Sequence, residues 1–271
     1  MRLAILADIH GNIHALETVL DHITRQGIDR LIILGDVVGC GPDSDLCWQR
    51  IRALDCPVLR GNHERYAAHY GTPNAPALWQ SAQFAPLRWT VSQFTLEERQ
   101  HMDRLPRHIR LAEAPDILFV HASQRSDHDS IGPSTTAEDL QAMFPTLPSC
   151  WIVRGHNHLS QIRFWGERRI VTTGSVGFPL DGRPSAQYLI LEKRRQDWYP
   201  IHHALPYDLD AALARFQSTG YLDQGGVIAR LYRRDLATAS FHTVSFLRLY
   251  ELWSQTSSPT LEEAFIRFSD L

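Results

Sequence analysis

The sequence predicts an α/β fold whose first half contains parallel strands connected by helices. Residues 31–34 are four consecutive apolar residues, as in a strand that is buried on both faces of a sheet. Residues 13–25 repeat apolar side chains at helical spacing and separate this strand from an apolar strand at 2–7. This strand–helix–strand order indicates a parallel βαβ unit. A helix over 44–54 and a strand at 57–60 predict a second unit.

Composition and charge indicate a globular protein and give no sign of a nucleic-acid-binding or membrane-spanning one. The 271 residues are 44% hydrophobic and 21% charged, which is ample for one large domain or one domain with an appendage. A net charge of −3 gives no reason to expect stable nucleic-acid binding. The N-terminus is predicted to be a first strand and not a signal peptide, and no apolar run is long enough to span a membrane. Four cysteines without a C-x-x-C pair fit a reducing compartment, so we expect a cytoplasmic protein.

After the first strands, the chain is predicted to be helical over residues 64–106 and then rich in strands. Residues 64–106 predict a helical insertion above the functional site, with a capping box at Thr95 and Glu98. The aromatic residues of 72–94 predict either an aromatic core or a wall of the substrate site. From residue 107 the sequence is rich in predicted strands, interrupted by a helix over 136–144 with a capping box at Thr135 and Glu138. The predicted strands lie near 108–111, 117–120, 151–154, 161–165, 169–172, 186–192 and 197–204.

Helical periodicity returns at 208–219 and continues to the end of the chain. We therefore predict a main domain over residues 1–220 and a helical extension over 221–271, packed on the same domain. The aromatic residues of this extension predict an ordinary core, a lid over the site or an oligomer contact. The sequence leaves the oligomeric state open.

Five predicted strands each run directly into Asp, Asn or His, which is the main functional signal of the sequence. In α/β folds, ligands bind beyond the carboxyl ends of the strands, so we expect these side chains to meet at one site. Burying an unpaired carboxylate is costly, and core packing gives no reason for an acid directly after Gly35. The five strand ends carry Asp8 and His10, Asp36, Asn62 and His63, His121, and His156 and His158.

Asp, Asn and His side chains without thiolates form a ligand set that suits Mn²⁺, Fe and Zn²⁺. Asp8 and His10 are two residues apart and could reach one metal, whereas His156 and His158 could each turn to a different metal. Two neighbouring metals need a bridging carboxylate, and Asp36 is the natural choice. We therefore expect two divalent or mixed-valence transition-metal ions, Mn²⁺ or Fe first and Zn²⁺ as an alternative.

The order of these motifs resembles the calcineurin-like metallophosphoesterase superfamily over about residues 1–210. Two further stretches, 35–42 and 174–179, are similar to a bacterial branch of small phosphodiesterase-like members. The resemblance implies a four-layer α/β/β/α sandwich of two mixed sheets, with the metals at one edge. The motifs are Asp8-x-His10, Gly35-Asp36, Gly61-Asn62-His63-Glu64, His121 and Gly155-His156-x-His158.

The resemblance also implies a role for each residue by its position. His63 would contact the phosphate and protonate the leaving oxygen, which suits an imidazole with a pKa near neutrality. Asn12, Arg60 and Glu64 are candidate substrate or supporting groups. Ser175 is either part of a tight turn or a hydroxyl contact near the metals. The implied ligands are Asp8, His10 and His158 for the first metal, Asn62, His121 and His156 for the second, and Asp36 as the bridge.

One position departs from the phosphoprotein phosphatases of the superfamily. Those enzymes carry Asp-Arg after Gly-Asp-x-x, whereas this chain has Gly39 and Cys40 there. The Asp supports the catalytic histidine and the Arg binds phosphate, so both of these groups are replaced here. This departure argues against close kinship with the eukaryotic protein phosphatases, and it leaves open what orients His63.

The leading hypothesis is a dinuclear-metal phosphoesterase. It would hydrolyse phosphodiester or phosphoanhydride bonds of a small molecule or nucleotide, by attack of a metal-bridging hydroxide with His63 as the general acid. A phosphomonoesterase or protein phosphatase needs the same metals and is the alternative. A catalytically silent metal-binding scaffold is a third hypothesis, disfavoured because every expected ligand and His63 are present.

Overall fold

Two mixed β-sheets pack face to face and carry helices on their outer faces, as the predicted four-layer sandwich requires. The computed structural model describes residues 1–146 and 150–270. The strands are β1 (Arg2–Leu6), β2 (Arg30–Ile33), β3 (His108–Leu111), β4 (Ala114–Val120), β5 (Trp151–Arg154), β6 (Ser160–Trp165), β7 (Arg168–Thr173), β8 (Ala186–Arg194) and β9 (Asp197–Leu205).

The helices surround these sheets and continue beyond them at the C-terminal end. Two short 3₁₀ turns, Ala77–Gln80 and Ala82–Phe84, lie between α3 and α4. The helices are α1 (Ile13–Thr24), α2 (Ser44–Arg52), α3 (Asn62–His69), α4 (Ala85–Ser92), α5 (Leu96–Arg104), α6 (Ala137–Met143), α7 (Leu209–Ser218), α8 (Tyr221–Thr238), α9 (His242–Ser254) and α10 (Leu261–Ser269).

The first sheet has the strand order β2-β1-β8-β9, with β1 parallel to β2 and antiparallel to β8. Helix α1 connects β1 to β2, so the first predicted βαβ unit is confirmed. The side chain of Asn12 caps this helix by accepting a hydrogen bond from the backbone N–H of Ala15. The apolar face of α1, which includes Leu16 and Val19, then packs on the outer face of the sheet.

The second sheet has the strand order β3-β4-β5-β7-β6, in which β5 is parallel to both of its neighbours. Its inner face packs against the first sheet through fully buried side chains such as Phe119 and Val153, which meet Ile5 and Leu189. Helix α6 covers the outer face. Because the parallel strands of both sheets are covered on both faces, their ends are the remaining place for a polar site.

The second predicted βαβ unit is wrong in one element. Residues 57–60 form no ladder, and Val58 makes a single parallel bridge to Ile33. Pro57 has no N–H to donate, and the N–H of Arg60 already turns to the carbonyl of Pro106. Residues 57–60 therefore pair with the edge of the first sheet at one bridge only, and the chain then turns away from the sheet.

Helix boundaries follow the side chains that cap them. The predicted capping box at Thr95 and Glu98 is confirmed at the start of α5. The box predicted at Thr135 and Glu138 is shifted by one residue, because α6 is capped by Thr136 and Asp139. The hydroxyl of Thr135 instead accepts the N–H of Gly132.

Helices α8, α9 and α10 form a helical layer at the edge of the sandwich. Helix α8 contacts α4 and α7, and it bends at Gly226, whose φ of +58° lies in the left-handed region. A separate core holds the three helices together around Phe246. Helix α10 packs into this core through Ala264, Phe265 and Phe268, so these residues form the ordinary core that was one of the predicted roles of the extension. No helix in the described ranges is long and apolar enough to cross a membrane. The division at residue 220 stays a prediction.

Asp235 joins α8 to α9. Its side chain is buried, and one carboxylate oxygen accepts the backbone N–H of His242 at 2.7 Å and that of Thr243 at 3.2 Å. These N–H groups lie at the first turn of α9, where an acceptor is needed. Burial raises the pKa of Asp235 from 3.8 to about 7. The folded state therefore holds a proton on this carboxyl that the unfolded chain releases at lower pH.

We expect Asp235→Asn to stabilise the protein at pH 8 and to flatten its stability between pH 4 and 8. Since the folded pKa is raised, the wild-type contribution is favourable below about pH 4 and is lost as pH rises to about 7. Melting temperatures measured at pH 5 and pH 8 check this, with a gain of about 5 °C expected at pH 8. Asp223→Asn, at an exposed position on the same helix, is the control. Wild-type and Asp235→Asn curves that run in parallel would contradict the prediction.

Candidate metal centre

The chain beyond the strands adopts left-handed backbone where the predicted ligands lie. Such φ values are uncommon outside glycine and store strain, so a cluster of them marks a functional site. The turns after β1 and β2 are tied together, because the N–H groups of Ile9 and His10 donate to the carbonyl of Asp36 at 2.8 and 3.0 Å. The left-handed residues are Asp8 (φ +57°), His10 (+51°), Asp36 (+52°), His156 (+70°) and His158 (+57°).

Asp8, His10 and His158 form the first cluster. The Nε2 atoms of His10 and His158 are 3.0 Å apart, and the Nε2 of His158 lies 3.6 Å from the Oδ1 of Asp8. The Nδ1 of His158 is 2.6 Å from the carbonyl of Phe178, so Nδ1 is the donor and the lone pair is on Nε2. The Oδ1 of Asp8 is buried and has no hydrogen-bond partner within the described chain. Lone pairs therefore converge on one point.

Asp36, Asn62, His121 and His156 form the second cluster. The Oδ1 of Asn62 is 3.1 Å from the Nε2 of His121 and 3.1 Å from the Nδ1 of His156. The Nδ1 of His121 donates to the carbonyl of Leu34, and its Nε2 lies 3.3 Å from the Oδ2 of Asp36. Turning the amide of Asn62 would place its NH₂ group among these atoms. A proton on the imidazole nitrogens, or a metal ion between these atoms, would also remove the repulsion among their lone pairs.

The two clusters share the carboxylate of Asp36. Its Oδ2 lies 3.7 Å from the Nε2 of His10 in the first cluster and 3.3 Å from the Nε2 of His121 in the second. An orphaned carboxylate oxygen and convergent imidazole lone pairs are the donor set of a transition-metal site, so these residues fit metal ions. All seven predicted ligands meet here: Asp8, His10, Asp36, Asn62, His121, His156 and His158.

Burial and mutual charge perturb the pKa values in the centre. Burial raises the pKa of Asp8 to about 8 and lowers that of His158 to about 4. Burial also favours neutral His121, but the carboxylate of Asp36 outweighs it and raises the pKa of His121 to about 9. Burial opposes ionisation of Asp36 as well, and His121 and His63 outweigh it to hold the pKa of Asp36 well below its usual range. The centre therefore attracts positive charge, as protons or as metal ions.

His63 is oriented by close packing in place of a carboxylate partner. A Cβ atom on Gly39 (φ +87°) would lie 2.2 Å from the Nδ1 of His63, so only glycine leaves room for the ring. The Nε2 of His63 is 4.0 Å from the sulfur of Cys40, and the ring centroid lies 5.3 Å from that of Tyr66. The backbone N–H of His63 donates to the Oδ1 of Asp36 at 2.8 Å. Burial lowers the pKa of the ring.

Glu64 holds the turn that carries Asp36. Its buried carboxylate accepts four backbone N–H groups, from Asp36 at 2.8 Å, Val37 at 2.7 Å, Val38 at 3.3 Å and Gly61 at 2.8 Å. Burial nevertheless raises its pKa to about 7. All four partners are backbone groups next to the centre, so Glu64 acts as a supporting residue.

Two of the candidate substrate groups lie in structural contacts. The guanidinium of Arg60 pairs with the side chain of Asp103 at 2.6 Å on α5, so the structure does not bring it into the clusters. The amide nitrogen of Asn12 donates to the carbonyl of Gly177 at 3.0 Å and to the hydroxyl of Tyr207 at 3.2 Å. A substrate role for either residue stays a prediction.

Ser175 contacts the backbone of the first cluster. Its hydroxyl donates to the carbonyl of Asp8 at 2.7 Å and accepts the N–H of Phe178 at 2.8 Å. Phe178 in turn supplies the carbonyl that fixes the His158 ring. The turn around Ser175 thus positions residues of the centre through their backbone.

Arg154 is a supporting residue that the sequence pattern did not reveal. It is fully buried at the end of β5, directly before the turn that carries two of the predicted ligands. Its guanidinium donates to the carbonyls of Ala122 at 2.7 Å and Asp129 at 2.5 Å, and to the side chain of Asn157 at 2.5 Å. The sequence predicts Arg154 only as the last residue of a strand. The apolar residues before it indicate that strand, and nothing in the pattern indicates a supporting role for the arginine.

The comparison with known protein families agrees with this geometry. The profile described as the calcineurin-like phosphoesterase superfamily domain matches residues 1–196. The chain belongs to this superfamily. Calcineurin-like phosphoesterases are metal-dependent hydrolases, so the chain is a phosphoesterase with candidate metal-ligand clusters at the expected place.

Individual relatives of this calcineurin-like phosphoesterase include both named and uncharacterised proteins. An uncharacterised protein of Methanocaldococcus jannaschii is 26% identical over 210 residues, covering 71% of this chain and 83% of that protein. A symmetrical bis(5'-nucleosyl)-tetraphosphatase of Chromohalobacter salexigens is 25% identical over 265 residues, covering 88% and 95%. A metallophosphoesterase structure from Sphaerobacter thermophilus has a TM-score of 0.70 at 25% identity, covering 88% and 99%.

We expect Mn²⁺ to raise the melting temperature of the wild-type protein and to have little effect on Asp36→Asn. Ligand that saturates the folded state about 100-fold above its Kd adds about 2.7 kcal/mol, or about 5–10 °C here. Metal analysis after dialysis should find two ions per wild-type chain. Asp55→Asn, at an exposed position, is the control. Equal shifts in wild type and Asp36→Asn would contradict the assignment.

We expect Glu64→Gln to destabilise the protein by about 1–3 kcal/mol, because the amide NH₂ would face backbone N–H groups that need an acceptor. The metal content of this variant should also fall, because the turn that carries Asp36 would lose hydrogen bonds to Glu64. Urea unfolding and metal analysis test both effects. Glu97→Gln, on the exposed surface of α5, should behave as wild type. If Glu64→Gln is as stable as this control, the support that we assign to Glu64 is wrong.

Proposed function

We propose that this phosphoesterase uses two metal ions to hydrolyse phosphodiester or phosphoanhydride bonds of a small molecule or nucleotide. The observation that carries the proposal is the pair of ligand clusters joined by Asp36. Asp8, His10 and His158 would hold one ion, Asn62, His121 and His156 the other, and Asp36 both. Mn²⁺ and Fe are the ions that we propose first, with Zn²⁺ as the alternative.

When bound, the metals would supply a hydroxide at neutral pH and neutralise charge on the phosphoryl group. His63 lies beside the clusters, with its ring centroid 4.7 Å from that of His10. A protonated His63 would donate its proton to the leaving oxygen as the phosphorus–oxygen bond breaks. Burial lowers the pKa of His63, which makes the protonated ring a stronger acid, and an anionic substrate favours the protonated ring before transfer.

Two observations support a diester or anhydride substrate. Gly39 and Cys40 stand where the phosphoprotein phosphatases have Asp-Arg, and the room at Gly39 is used by the His63 ring. A relative that aligns over most of this chain is named as a symmetrical bis(5'-nucleosyl)-tetraphosphatase. We therefore propose a nucleotide with a phosphoanhydride chain as the first substrate class to test.

We expect wild-type enzyme loaded with Mn²⁺ to hydrolyse bis-p-nitrophenyl phosphate and diadenosine tetraphosphate faster than p-nitrophenyl phosphate. His63→Ala should lose about 10²–10⁴-fold in kcat on the diester adenylyl-adenosine, whose leaving oxygen is a strongly basic ribose alkoxide that needs a proton. It should lose less on diadenosine tetraphosphate and the p-nitrophenyl substrates, because ADP and p-nitrophenolate are weakly basic and leave without a proton. Steady-state kinetics with release of adenosine, ADP or p-nitrophenolate measures this.

Asp36→Asn serves as the inactive control, and metal analysis of His63→Ala should match the wild type. A preference for p-nitrophenyl phosphate would favour a phosphomonoesterase. The general-acid role would fail if His63→Ala lost the same factor on every leaving group. Activity no higher than that of Asp36→Asn with any metal would refute the enzyme proposal and favour a binding scaffold.

A further inference from the structure

A small chamber opens beside His63, between the helical insertion and the C-terminal helices. It has a volume of about 210 Å³. His63 and Tyr66 on α3 form one side, and Leu87 on α4 lies next to them. Ile228 on α8 and Leu247 on α9 close the opposite side. Side chains from both halves of the chain thus build one mostly apolar wall next to the proposed general acid.

A row of aromatic rings leads away from His63, and two of them, Tyr66 and Phe84, line the chamber. The ring of Tyr66 lies 5.3 Å from His63 and 5.2 Å from the ring of Trp79, which is buried. Trp79 lies 6.2 Å from Phe84, and Phe84 again lines the chamber. Such contacts hold Tyr66 and Phe84 in fixed positions, so these two rings offer flat surfaces against which another ring can stack.

The size of the chamber limits what it can hold. Sites for whole drug-sized ligands enclose about 300–1,000 Å³, so a chamber of about 210 Å³ suits one planar group and not a complete nucleotide. It shares Cys40, His63, Tyr232 and Leu247 with a second cavity of about 700 Å³ that reaches the metal clusters at His10, His156 and His158. A substrate that extends from one space into the other passes His63.

We propose that the chamber binds a planar aromatic base carried by the leaving half of the substrate. This inference rests on the proposed function, because His63 would protonate the leaving oxygen and the chamber opens on the His63 side. It adds that the C-terminal helices supply part of the substrate site through Ile228, Tyr232 and Leu247. The leaving half would then be a nucleotide-like group, with its base between Tyr66 and Leu247.

Arg248 supplies a positive charge for the anionic part of the same substrate. It lies on α9 beside Leu247, is exposed, and lines the larger cavity. Within the described ranges, no hydrogen bond or ion pair of its guanidinium is found. Asp235, an acid that lines this cavity, is already engaged by the N–H groups of α9. Arg248 is therefore available to a phosphate, and guanidinium suits that role.

Calorimetric binding to the Mn²⁺-loaded protein tests the inference without turnover. The probes are adenosine, α,β-methylene-ADP, which cannot be hydrolysed between its phosphates, and methylenebisphosphonate, which has no base. We expect Leu247→Trp, which fills the chamber, to weaken adenosine and α,β-methylene-ADP at least tenfold and to leave methylenebisphosphonate unchanged. Arg248→Gln should weaken α,β-methylene-ADP about fivefold to tenfold and leave adenosine unchanged.

Leu252→Trp is the matched control, since Leu252 is an exposed residue of the same helix and does not line the chamber. Gln83→Trp narrows the chamber from the opposite wall, so it repeats the test if Leu247→Trp folds poorly. Unchanged adenosine binding in both chamber variants would overturn the inference, as would no adenosine binding by wild type at millimolar concentrations. If adenosine binds as expected but no phosphate ester is cleaved, the proposed function fails while the base site stands.

Discussion

The candidate centre depends on how the chain is held at Asp36. The carbonyl of this residue accepts the N–H groups of Ile9 and His10, and its own N–H is accepted by Glu64. One carboxylate oxygen accepts the N–H of His63, which leaves the other facing the imidazoles of both clusters. A single residue thus ties together the turn after β1, the turn after β2 and the start of α3, so the ligands in these segments depend on its backbone as well as its charge.

This arrangement stores free energy that the rest of the fold must supply. Left-handed backbone at Asp8, His10 and Asp36 is costly for residues with side chains. The unpaired Oδ1 of Asp8 adds the cost of a buried acceptor. The two sheets are covered on both faces, and the buried Arg154 supports the turn after β5. Together they provide a frame rigid enough to keep this strained backbone in place. Bound cations would relieve the repulsion among the ligands.

Sequence reasoning predicted the parts of the structure that depend on local pattern. Asp8 and Asp36 could be found because each follows a short apolar strand, and the strands order the site in an α/β fold. The pattern failed at two places. The strand predicted at 57–60 is reduced to one bridge, because Pro57 has no N–H to donate and the N–H of Arg60 pairs with the distant Pro106, and the cap of α6 lies one residue later than predicted, at Thr136. The contacts of Glu64 could not be predicted, because its four backbone partners lie in turns.

The contact between Gly39 and His63 has an evolutionary consequence. A side chain at residue 39 and the present His63 ring cannot occupy the same space, since the two would be 2.2 Å apart. Any side chain placed at residue 39 would have to be accompanied by a movement of the His63 ring or of the loop. The identity of residue 39 and the placement of the histidine are therefore coupled, so a change at one position requires a compensating change at the other.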